Sequence, residues 1–136
     1  MIDTFFLAGV GMVIRMNHYL RLLKAELQDV MEDISMVIDG IEKRYAKNDV
    51  SSYVRQENEG VLRRELGAIA NFIAIVDEIV PSNYTSIPEI ESAIISKANE
   101  IVTRQEEPTF VLTLLNRKLV KVREFISTGD NLSVAR

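Results

Sequence analysis

Residues 2–41 read IDTFFLAGVGMVIRMNHYLRLLKAELQDVMEDISMVIDGI. Within that run, Ile2, Phe6, Gly9, Val13, Met16, Leu20, Leu23, Leu27, Val30, Ile34, Val37 and Ile41 recur at steps that alternate four and three. Every one of them except Gly9 is large and apolar, which is the signature of a helical seam with a heptad repeat. A helix over this stretch is about 60 Å long. Intrinsic propensity does not hold a helix of that length in water, so its seam has to be covered by other helices.

Three further helices are available to cover it. The second is expected from about Tyr53 to Val80, capped by Ser51 or Ser52 and stopped by Pro81, with a seam of Leu62, Leu66, Ile69, Ile73, Val76 and Val80. Gly67, Asn71 and Ala74 form a small-residue strip beside that seam. The third runs from about Ile87 to Arg104, opened by Ser86 with Glu89 three residues on and by Pro88 in the first turn, and broken by Gln105 to Pro108. The fourth runs from about Thr109 to Ser127 with Leu112, Leu115, Leu119, Val122 and Ile126 on one face, and Gly129 is expected to end it. Short connections between helices imply antiparallel neighbours. The expected fold is all-α, an antiparallel four-helix bundle with an unusually long N-terminal helix. It forms a single domain over residues 1–129, followed by a flexible tail at 130–136.

Composition sets limits on chemistry. The chain has 136 residues, 47% apolar and 26% charged, which suits one folded domain with a real core. The net charge of −4 argues against sequence-independent nucleic-acid binding, which needs a strong basic face. There is no cysteine, so disulfides and thiolate metal sites are excluded. His18 is the single histidine, and Arg15 stands three residues before it, so the Glu-x-x-His pairs of carboxylate-bridged di-metal bundles are missing. Glu26-Leu27-Gln28-Asp29 resembles one short element of all-α nucleotide pyrophosphohydrolases, but the glutamate-rich element upstream is missing. No phosphate-binding glycine loop and no Gly-x-Ser-x-Gly occurs. No catalytic residue, metal ligand or cofactor-binding residue is therefore expected, and the chain reads as a non-enzyme.

Two surfaces are candidates for function. Phe5 to Ile14 reads FFLAGVGMVI, without a charge, and is apolar all round rather than along one seam. A helix apolar on every side is buried on every side, in protein or in lipid. The run is too short to span a membrane, and Asp3 in front of it does not suit a secretory signal. Glycines weaken an isolated helix by about 1 kcal/mol each, so Gly9 and Gly11 fit a place where another backbone comes close. The expected interface is Phe5, Phe6, Leu7, Val10, Met12, Val13, Ile14 and Met16, used for a homo-oligomer or a protein partner. The alternative is a small membrane-associated bundle anchored by residues 5–14, with Arg15, Arg21 and Lys24 at the headgroups. Length mismatch points the same way, since a shorter second helix returning from the far end leaves the N-terminal end of the first uncovered.

The second surface is Arg117, Lys118, Lys121 and Arg123, a candidate polar docking face that either binds a partner or pairs with the acidic run from Glu26 to Asp39. That acidic run lies off the seam, so it does not converge as a cation site. Ile38 to Tyr45, IDGIEKRY, resembles a stretch in the first helix of LemA-type proteins, a family of helical bundles with an apolar N-terminal segment. The proline-containing motif that follows in that family is missing here. The chain is thus expected to be a helical interaction or assembly protein, cytoplasmic, with membrane association as the alternative.

Overall fold

The computed structural model describes residues 4–106 and 109–134, with side chains described for 9–106 and 109–128. It is all-α: α1 spans Thr4–Ala46, α2 Ser52–Glu78, α3 Ile87–Gln105 and α4 Phe110–Val134, with a 3-10 turn at Pro81–Asn83. Among the described residues there is no strand.

Local chemistry sets most of the boundaries. α1 stops because Asn48 takes the left-handed conformation, φ 62°, and Asp49 N donates back to Arg44 O at 2.9 Å. Lys43 and Arg44 sit in that last turn, where the helix dipole favours cations. Ser51 caps α2, accepting from Val54 N at 3.1 Å. Ser86 caps α3, accepting from Glu89 N at 3.3 Å, while the Glu89 carboxylate accepts from Thr85 N at 3.1 Å. The reciprocal arm of the cap therefore reaches one residue further back than the usual capping box.

Ion pairs fix the register. Lys24 to Asp77 at 2.9 Å and Arg55 to Glu42 at 2.9 Å run α2 antiparallel to α1. Tyr19 meets Glu91 on α3, and Lys118 and Lys121 on α4 meet Glu26. These contacts set α4 against the middle of α1, while α3 packs on α2 and α4 and reaches α1 through Tyr19. The core lies there: Tyr19, Leu23, Leu27, Ile69, Phe72, Ile90, Ile94, Val111, Leu115 and Leu119 are essentially inaccessible.

Three expectations change. The α1 seam holds from Met16 to Ile34 but then drifts: Ile38 is buried, whereas Val37 is 53% exposed. A straight helix has 3.6 residues per turn, so a strict 3.5 repeat rotates off the contact line. Likewise Val80 is exposed, because α2 ends at Glu78 and Ile79 is already extended. α4 does not stop at Gly129 but continues to Val134. Glycine ends a helix by taking positive φ, and no described glycine does so. Glu107 and Pro108, the expected breakers of the third helix, lie outside the described residues.

Coverage of α1 differs as well. α3 reaches the α1–α2 pair only as far as Gln105, whose Oε1 accepts from Asn71 Nδ2 at 3.2 Å. Among the described residues, α1 and α2 continue beyond that level as a two-helix arm. In the half of α2 from Ser52 to Gly67 the one buried residue is Glu59. Among the described residues, the C-terminal part of α1 is therefore covered by α2 alone.

Candidate interaction surface

The N-terminal part of α1 projects past the end of α2. The 3-10 turn faces it, and Gly9, Val10, Val13, Ile14 and Ser82 line the groove between the two. Val10 is 40% exposed and Ile14 60% exposed. Met12 and Val13 are half-buried against the core, and Met16 is fully buried within it. Of the expected interface residues, Val10, Ile14 and the outer faces of Met12 and Val13 are therefore presented to solvent, and Met16 is not. The side chains of Phe5, Phe6 and Leu7 lie outside the described residues. A Cβ added at Gly9 or Gly11 meets nothing within 4 Å, so among the described residues no neighbouring element closes on either glycine. Arg15, His18 and Arg21 are exposed just beyond the apolar surface, and Lys24 is paired with Asp77.

The basic residues of α4 are divided among different partners. Lys118 Nζ lies 3.1 Å and Lys121 Nζ 3.0 Å from Glu26 Oε2, across the α1–α4 contact. Hydrogen bonds from Lys121 and Lys118 hold the Glu26 carboxyl below the ordinary carboxylate range. Arg123 turns the other way and donates from Nη1 to Glu91 Oε2 at 2.9 Å. Arg117 is exposed. The four side chains do not converge on one point.

Two polar clusters were not expected. In the core, Tyr19 donates to Glu91 Oε1 at 3.1 Å while Arg123 holds the other carboxylate oxygen. Burial first, and then the Glu91 charge, push the Tyr19 hydroxyl far above its ordinary pKa. The three side chains come from α1, α3 and α4, so this network locks three helices in one register. Tyr19 follows Met16 by three residues and Glu91 follows Ile90 directly. A polar group beside a core stripe was the available signal for both.

In the arm, Glu59 accepts from Arg55 at 3.1 Å and from Arg63 at 3.3 Å. Arg55 also reaches Glu42 and lies 4.4 Å from the centre of the Tyr45 ring. Both clusters are built from ion pairs that tie helices together. Among the described residues, no three metal-ligating side chains gather, and no helix is long and apolar enough to cross a membrane. No protein family, curated protein or solved structure matches this chain.

Proposed function

We propose that this chain is a non-enzymatic assembly protein that pairs with a second copy of itself through the apolar N-terminal part of α1. The observation that carries this reading is the exposure of Val10 and Ile14 beside two glycines with open space above them. A heptad seam is self-complementary, because knobs on one helix fit holes on an identical one. The seam runs on from Val13, which packs half-buried against the core, to Gly9, which is exposed. Small residues at such a place let a second backbone approach closely, which explains why a helix would carry two of its weakest formers there.

The test is the variant V10E/I14E, which places charges on exposed positions and leaves the core untouched. The reading expects its mass in solution to fall below that of the parent chain with helicity unchanged. An unchanged oligomer would remove this surface from the assembly. Co-flotation of the parent chain with anionic vesicles, lost in the variant, would instead favour membrane association through the same residues. The proposal also places the chain in the cytoplasm, which cell fractionation tests.

A further inference from the structure

The arm repeats, uncovered, a face that the body of the bundle covers. On α2 the positions seven residues apart are Ile75, Ala68, Val61 and Val54. Ile75 and Ala68 are buried, whereas Val61 is 43% and Val54 41% exposed. On α1 the same series runs Leu23, Val30 and Val37, passing from fully buried through half-buried to 53% exposed. One heptad position thus faces α3 or α4 in the body and faces solvent in the arm. The opposite side of the arm, with Ser35, Asp39, Gln56 and Arg63, is polar. Two-helix hairpins with a bare apolar face gain most of their stability from packing that face.

Charge indicates what packs on it. The arm's tip carries Arg44, in the same heptad series as Val37. Its base carries Asp33 and Glu65. Asp33 stands one heptad beyond Glu26, which α4 neutralises with two lysines; no α4 lysine reaches Asp33. Partial burial raises the pKa of Glu65, with no cation offsetting it. Along α1 the face is therefore basic at the tip, acidic at the base and apolar between, while on α2 exposed Glu57 and Arg64 flank Val61 and Glu65 adds to the acidic base.

We infer that the arm docks antiparallel on the arm of a second copy, around a two-fold axis near Val37 and Val61, forming an intermolecular four-helix bundle. The axis brings Arg44 of each copy over Asp33 and Glu65 of the other and buries the valines between them. This contact is independent of the N-terminal one. A chain with both has a pairing surface at each end of α1 and assembles beyond a dimer.

The experiment uses V10E/I14E as background, so that the N-terminal surface is disabled, and reads mass by light scattering. The inference expects a dimer that halves in mass on adding V37E/V61E, also halves when R44E is added instead, and is restored when R44E is combined with D33R and E65R. A monomer in the background variant overturns it, as does a dimer that V37E/V61E leaves intact or a charge swap that restores nothing. All these positions are at least partly exposed, and circular dichroism checks that helicity is kept. The chain has no cysteine, so V61C supplies a second reading. Oxidation is expected to cross-link two copies near the axis, and failure to cross-link counts against the arm pairing. If V10E/I14E is a dimer of the same mass as the parent, the N-terminal proposal fails while the arm proposal stands.

Discussion

The Tyr19 hydroxyl donates to Glu91 Oε1 across 72 residues of sequence, inside a core that is otherwise apolar. Arg123 completes the pairing from α4. Y19F removes one donor and leaves Glu91 with its arginine, so a loss of about 1 kcal/mol is expected in chemical denaturation. R123A leaves a carboxylate nearly buried and short of its charge partner. Its cost is expected to be larger, about 1–3 kcal/mol once the half-exposed arginine is discounted for solvent screening. Equal stability of R123A and the parent chain would show that the network sets register without adding stability.

The same network has a signature at high pH. The folded-state pKa of Tyr19 lies far above its ordinary 10.0. Its contribution is thus fully present below pH 10 and is lost as the pH rises beyond that. An absorbance titration is expected to show Tyr19 ionising only together with alkaline unfolding.

At low pH the sensitive group is Glu26. Its folded-state pKa lies below the ordinary 4.5, so its contribution is present above that value and is lost as the pH falls through the lower folded one. E26Q is expected to cost at most about 1 kcal/mol near neutrality, since the pairs are partly solvated. It is also expected to flatten the acid limb of the stability curve; an identical acid limb would contradict that assignment.

Gly9 separates helix stability from assembly. A Cβ there meets nothing within 4 Å, so G9A is expected to stabilise the isolated chain by up to about 1 kcal/mol. If the glycine admits a second backbone, the same change weakens self-association. Thermal melts at low concentration read the first effect, and the concentration dependence of mass reads the second.

These particular residues also show where sequence reasoning stopped. Ser51, Ser86, Pro81 and the apolar stripes are local signals, and they placed the helices and the all-α bundle. Register is not local. Val37 and Ile38 are equally apolar, and only the twist of α1 against α2 decides that Ile38 goes inside. Tyr19 and Glu91 are each unremarkable in their own helix and meaningful only together. Gly129 resembled a stop because composition does not report φ. The arm became visible only when the level at which α3 ends was known. For the apolar N-terminal surface, the exposed positions Val10 and Ile14 were legible, but Met16 was assigned outward although it closes the core.

The measurement that bears most directly on the central claim is the mass of the detergent-free chain by light scattering across a concentration series. The account predicts an assembly of two or more copies of the 15.4 kDa chain that persists on dilution. A monomer at every concentration would contradict it, and the exposed valines and Ile14 would then await a different partner.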